Sequence, residues 1–82
     1  MKLLYKDRND KLRFVSNPTS IKEVFSDINT YVKELNPRFK IPYTRLDIDE
    51  EEICIDIGSW CEFFYITEFT KEDLKEILEK GK

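Results

Sequence analysis

Apolar residues in the middle of the chain recur with the spacing of one helix face. Each is separated from the next by one or three positions: Ile21, Val24, Phe25, Ile28, Tyr31, Val32 and Leu35. This stripe predicts an amphipathic helix of about four turns. Ser20 and Glu23 have the spacing of a capping box at its start, and Pro37 prevents its continuation.

Apolar and polar positions alternate on both sides of this helix and predict β-strands. Residues 2–16 predict a hairpin around the turn formers Asp7 to Asp10. An acidic turn and the pair Gly58-Ser59 then separate three further strands. These strands are predicted at residues 43–49, 52–57 and 60–67.

A second, shorter helix is predicted over residues 71–80, where Thr70 occupies the capping position. The element order is then β-β-α-β-β-β-α, and no stretch of the chain has the composition of a linker. We expect an α+β fold in which an antiparallel sheet of about five strands carries both helices on one face. Residues 1–82 are expected to form a single domain.

The last two predicted strands have apolar residues on both faces, so the register of their hairpin decides which side chains face the helices. A two-residue Gly58-Ser59 turn pairs Ile55 with Glu62 and places a carboxylate in the core. A three-residue loop pairs Ile55 with Phe63 instead. Because an unpaired buried charge costs several kcal/mol, we expect the three-residue loop.

This register leaves Trp60, Phe64 and Ile66 on the second face of the sheet, away from the helices. Exposed together, they would form a patch of a few hundred Å², a size that marks interaction sites. The carboxylates of Glu62 and Asp56 flank the patch and would orient a partner. In the alternative arrangement, the connector between the first helix and the third strand folds across this face and closes it.

Charge is divided unevenly along the chain, whose net charge is −3. Residues 1–46 contain ten Lys/Arg and five Asp/Glu, a net charge of +5, whereas residues 47–82 contain four and twelve, a net charge of −8. A negative surface of this kind could imitate nucleic acid and inhibit a nucleic-acid-binding protein such as a host defence nuclease. Its candidate residues are Asp47, Asp49, Glu50, Glu51 and Glu52. The competing interpretation is a solvated turn.

No residue pattern typical of an active site stands out. The chain contains no histidine, and its two cysteines, Cys54 and Cys61, supply only half of the ligands that a zinc site needs. The acidic run has Glu52 at the sixth position of a calcium loop, where glycine is required. We therefore expect no enzyme activity, no cofactor and no metal. Cysteine usage and the lack of an export signal predict a reducing, cytoplasmic location.

The short acidic chain, its Lys-Leu-Leu-Tyr-Lys start and the stretch from Ile57 to Phe64 resemble small accessory proteins encoded by phages and prophages of low-GC bacteria. The resemblance implies a factor that binds a host or phage protein, and it carries over no catalytic residue. We expect a non-enzymatic interaction module that binds itself, as a homodimer, or a larger protein through the hairpin 52–67. Neither nucleic acid nor a membrane is the expected partner.

Overall fold

The predicted element order is confirmed by the computed structural model, which describes residues 1–59 and 61–80. Five strands form one antiparallel sheet in the order β2-β1-β5-β4-β3, so that β5 lies at the centre beside β1. The elements are β1 (Lys2–Lys6), β2 (Leu12–Ser16), α1 (Ile21–Leu35), β3 (Arg45–Ile48), β4 (Ile53–Asp56), β5 (Phe63–Thr67) and α2 (Lys71–Lys80).

Both helices begin at the residues that the sequence predicts. The Ser20 hydroxyl accepts a hydrogen bond from the Glu23 amide at 3.2 Å. The Glu23 carboxylate accepts hydrogen bonds from the amide and the hydroxyl of Thr19, whereas a capping box would use the amide of Ser20. At α2, the amides of Thr70 and Asp73 each donate to the other residue's side chain at 3.0 Å. These bonds satisfy amides that a helix start leaves unpaired.

The hydrophobic core lies between one face of the sheet and both helices, as expected. Tyr5, Tyr31 and Phe64 pack around one another with ring centroids 5.1 to 6.0 Å apart. The buried positions alternate along β1, β4 and β5, so the strands contribute every second residue to this layer. The buried core residues are Leu3, Tyr5, Ile21, Val24, Ile28, Val32, Ile53, Ile55, Ile57, Phe64, Ile66 and Ile77.

The expected register of the β4–β5 hairpin is wrong by one residue. Ile55 lies opposite Phe64, and Ile53 lies opposite Ile66. Because a shift of one residue exchanges the two faces of a strand, Phe64 and Ile66 face the helices and are 0% exposed. The residues that point away from the helices are Phe63 and Tyr65, which lie opposite Asp56 and Cys54.

Glu62 explains why the observed register is stable. Its side chain lies at the rim of the core, 29% exposed, with Oε1 3.6 Å from Nη2 of Arg8. Burial, together with the charge and hydrogen bond of Glu62, raises the pKa of Tyr5 to about 12. The carboxylate therefore has partners, and β5 begins only at Phe63. The observed register is neither of the two considered from the sequence, since it pairs Ile55 with Phe64. The penalty for placing Glu62 on the core side is avoided because the charge is paired and partly hydrated.

The connector between α1 and β3 crosses the end of the same hairpin. Phe39 and Ile41 pack against the helix-side core, so they do not close the opposite face of the sheet. Gly58 has a φ of +84°, and a Cβ placed on it would lie 2.4 Å from Cγ of Pro42. The loop thus requires glycine both for its backbone conformation and for the close approach of the connector.

Replacing Gly58 with alanine should destabilise the fold by about 1–3 kcal/mol, because the new Cβ meets Pro42 and the left-handed backbone conformation becomes strained. Urea unfolding of Gly58→Ala measures the change. Ser59→Ala in the same loop is the matched control and should shift the free energy of unfolding by less than about 0.5 kcal/mol. Equal urea midpoints for Gly58→Ala and the wild type would contradict the tight packing of Gly58 against Pro42.

Tyr5 should make stability depend on pH in alkaline solution. The pKa of Tyr5 is about 12 in the folded chain, against an ordinary value of 10.0. The contribution of Tyr5 to the free energy of unfolding is therefore complete below pH 10 and is lost as pH rises toward 12. Between pH 10 and 12, the free energy of unfolding of the wild type should therefore fall by on the order of 1–2 kcal/mol relative to that of Tyr5→Phe. Urea unfolding of both proteins at successive pH values measures the difference. A constant difference would show that the Tyr5 hydroxyl is not held in its neutral form.

Candidate functional site

The face of the sheet opposite the helices carries two rows of side chains that run across all five strands. The strand pairings place Leu4 opposite Phe14 and Tyr65, and Lys6 opposite Leu12 and Phe63. The same rows continue through β4 to the edge strand β3. We call this surface the open face; its rows contain Leu4, Lys6, Leu12, Phe14, Arg45, Asp47, Cys54, Asp56, Phe63 and Tyr65.

The half of the open face formed by β2, β1 and β5 is largely apolar. Leu12 and Phe14, on the edge strand β2, are 59% and 55% exposed. Leu4, Phe63 and Tyr65 are half-buried, because neighbouring side chains on adjacent strands cover one another. A shallow depression of about 350 Å³ lies here, with Leu4, Leu12 and Tyr65 in its wall. Apolar side chains that adjoin in this way form a continuous surface suited to protein contact.

The turn between β1 and β2 sets this arrangement. One Asp7 carboxylate oxygen accepts hydrogen bonds from the amides of Asn9 and Lys11, at 2.9 and 3.0 Å, and these bonds hold the pKa of Asp7 below its ordinary value. The turn fixes Lys6 opposite Leu12. Regular pairing from there brings Phe14 opposite Leu4. The register shifts only beyond Leu4, so that Leu3 lies opposite Ser16, and the extra residue, Val15, packs against the core.

Unlike charges lie on the two sides of the central strand β5. Lys6, on β1, has Nζ 3.3 Å from Oδ1 of Asp10, and the hydrogen bond to Asp10 raises the pKa of this lysine. Across β5, the carboxylate of Asp56 lies 3.9 Å from the Arg45 guanidinium. The β1 side of the open face is therefore mainly basic, and the β4 side, where Asp47 lies opposite Cys54, is mainly acidic.

The titratable groups at the centre of the open face are held in their neutral forms. Burial is the main cause that raises the pKa of the Cys54 thiol, and the neighbouring carboxylates of Asp47 and Asp56 act in the same direction. Burial and the contact with Cys54 also raise the pKa of Tyr65. Cys54 and Cys61 are both free thiols. A thiol with a raised pKa is a poor nucleophile at neutral pH.

The described residues that were expected to form a docking patch do not lie together on the open face. Phe64 and Ile66 are core residues, so their assignment to the uncovered face is wrong. Glu62 lies on the helix side of the sheet beside Arg8, whereas Asp56 does belong to the open face. Trp60 lies outside the described residues. The alternation of apolar and polar residues did not identify Leu12 and Phe14 as part of the uncovered face, because the face on which they lie depends on the length of the β1–β2 turn.

The acidic run occupies the hairpin between β3 and β4, as the sequence predicts for a turn. The Asp49 amide donates a hydrogen bond to the carbonyl of Glu52 at 3.0 Å, which closes the turn. All five carboxylates of the run are exposed: Asp47, Asp49, Glu50, Glu51 and Glu52. Within residues 1–59 and 61–80, no three His, Cys, Asp or Glu side chains form a group that could hold a metal ion.

Neither helix in the described part of the chain is long and apolar enough to cross a membrane. Comparison with known proteins gives no matching family model, and no curated protein or solved structure matches the chain. The functional assignment therefore depends on the geometry and chemistry of the open face.

Proposed function

We propose that this protein is a small, non-enzymatic interaction module that binds a protein surface through the open face. The observation that carries the proposal is the exposure of Leu12 and Phe14 at the edge of an apolar sheet surface whose opposite side holds both helices. These two side chains gain little by folding, because more than half of each stays in water. Association with another protein would remove that surface from water.

The arrangement of polar and apolar groups supports a protein partner. The apolar side chains of Leu4, Phe14 and Tyr65 adjoin one another across three strands, while Lys6 lies in the neighbouring row and the carboxylates lie on the β4 side. Protein interfaces have this anatomy, with an apolar centre that includes aromatic residues and a polar rim. The surface is also broad and shallow, as a docking face requires.

The state of the titratable groups supports a role without catalysis. The hydrogen bond to Asp10 raises the pKa of Lys6, and burial raises the pKa of Cys54, so neither group is shifted toward the form that a base or a nucleophile requires. A protonated lysine cannot act as a base, and a neutral thiol is a weak nucleophile. Both groups therefore suit binding through charge and apolar contact.

The face of the sheet is a better docking surface than its edges. On the edge strand β2, the Arg13 guanidinium lies 3.3 Å from the Asp7 carboxylate, and on the edge strand β3 Arg45 lies beside Asp56. Charged side chains along an edge disfavour pairing with a further strand. The accessory role in a phage or prophage that the resemblance implies agrees with binding of this kind. The alternative role as a nucleic-acid mimic stays a prediction.

The exposed residues of the open face should matter little for folding. Combined Leu12→Thr and Phe14→Thr replacements are expected to change the free energy of unfolding by less than about 1 kcal/mol, because both side chains are mainly in water. Phe64→Ala, by contrast, should cost about 3–5 kcal/mol, because it opens a cavity in the core. Urea unfolding at low protein concentration measures the free energy of unfolding of the double variant, of Phe64→Ala and of the wild type. A large loss in the double variant would assign Leu12 and Phe14 to the core.

Site-specific photocrosslinking tests the proposal in cells. Phe14 and Tyr43 are matched positions, both aromatic, at 55% and 54% exposure, and Tyr43 lies outside the open face. A photoreactive phenylalanine derivative at position 14 should give a discrete protein adduct upon irradiation, and the same derivative at position 43 should not. Leu4→Glu, introduced beside position 14, should remove the adduct because it places a charge within the apolar region. Equal yields at both positions, or no adduct at position 14, would refute the proposal.

A further inference from the structure

The charges of the open face have a pattern that is complementary to itself. In β1, Lys2 lies opposite Thr67 and Lys6 lies opposite Phe63 of the central strand β5. On the other side of β5, Asp56 is also opposite Phe63, and the same antiparallel register brings Glu52 level with Thr67. Glu52 and Thr67 line the same depression. Each lysine is therefore level with a carboxylate that lies two strands away.

We propose that the open face binds a second copy of this chain, related by a two-fold axis that runs along β5 between the two sheets. This inference rests on the proposed function and names its partner. Rotation about such an axis places β1 of one copy over β4 of the other, and β2 over β3. The apolar contact is then centred on β5 and β1, while the polar edge strand β3 of each copy covers Leu12 and Phe14 of the other. Lys2 then faces the partner's Glu52, and Lys6 faces the partner's Asp56. Because the interface is symmetric, each of these contacts occurs twice.

The same axis brings the aromatic residues of the central strand together. Phe63 and Tyr65 both point from β5 toward the open face, so each meets its own counterpart near the axis. Aromatic side chains pack well against one another in offset or edge-to-face geometry. Two sheets packed in this way lie about 10 Å apart, with their strands about 30° from parallel because each sheet is twisted.

The charge pattern also excludes the other face-to-face arrangement. A two-fold axis across the strands would place Lys6 over the partner's Lys2, and Asp56 over the partner's Glu52. Like charges would then meet on both sides of the apolar region, which disfavours that dimer. Single-stranded nucleic acid, the other ligand that stacks on aromatic sheet faces, would have its phosphates repelled by Asp47, Glu52 and Asp56.

The size of the open face indicates a reversible dimer. Five strands about 4.8 Å apart, with about four residues of 3.4 Å each, cover roughly 24 by 14 Å. Side chains make the accessible area larger than this projection, so the two copies together would bury about 1,000 Å². Specific interfaces start near this value, and those at the low end are weak. The dissociation constant should therefore be micromolar or weaker.

Charge reversal in the purified protein tests the axis. Neither Lys2 nor Glu52 forms an ion pair within the described residues, so their reversal disturbs no salt bridge of the subunit. Lys2→Glu and Glu52→Lys should each raise the dimer dissociation constant about tenfold at low salt, since each substitution acts twice. The double variant should return to within about threefold of the wild type. Lys22→Glu, an exposed site on α1 with the same change of charge, should have no effect.

Sedimentation velocity across a wide concentration range gives the dissociation constants, and the two cysteines report which surface is covered. Cys54 lies within the open face, whereas Cys61 is exposed in the loop before β5. Labelling of the wild type with a maleimide should slow at Cys54 as concentration rises, while labelling at Cys61 should not change. Mass spectrometry of the two peptides distinguishes them.

Four results would overturn the inference. The first is a protein that stays monomeric at every concentration and whose Cys54 is labelled at a constant rate. In that case, a crosslinked adduct with another protein at position 14 would still support the proposed function. The second is a dimer that the single reversals do not weaken or the double variant does not restore. The third is protection of Cys54 by a single-stranded oligonucleotide but not by increased protein concentration. A dimer without any crosslink at position 14 would contradict the proposed function and the inference together.

Discussion

The Glu62 carboxylate lies where β5 enters the sheet, near the Tyr5 hydroxyl and the Arg8 guanidinium of the β1 hairpin. This contact is compatible with only one alignment of β5, in which Phe64 and Ile66 join the core. A shift by one residue would bury the other apolar set of the strand and turn this one toward solvent. Hydrophobic burial alone separates the two alignments poorly, because both faces of β5 are apolar. The partners of Glu62 therefore favour the alignment in which Phe64 and Ile66 lie in the core, while Phe63 and Tyr65 face away from the helices.

The elements were predictable because their signals are local. The stripe on α1, the caps at Ser20 and Thr70, and the turn residues all act within a few positions of one another. The register of β5 was not predictable in this way, since Glu62 finds its partners on a hairpin at the other end of the chain. The sequence argument assumed that a carboxylate on the core side would be unpaired. The Glu62 carboxylate is paired at the rim of the core. Phe64 and Ile66, which were expected on the uncovered face, therefore lie in the core, and their neighbours lie on the open face.

The two helices cover only one face of the sheet. The sheet has five strands, while α1 and α2 contain 15 and 10 residues and both lie on the same side. The strands on the open face still carry Leu12, Phe14 and Tyr65, residues that contribute most when they are removed from water. The architecture thus places apolar surface where association can use it, without making the folding of the subunit depend on a partner.

Charge placement then controls what such a surface binds. An apolar region alone would accept many partners in many orientations, because hydrophobic attraction has no direction. Lysines on one side of β5 and carboxylates on the other add direction, and they favour a ligand that presents the reverse pattern. A second copy presents this pattern under one rotation only. Because the same residues would contact any other protein, a second copy and a different partner exclude each other on this face. Weak self-association would therefore protect the apolar surface at high concentration and leave it free for a tighter-binding protein when that protein is present.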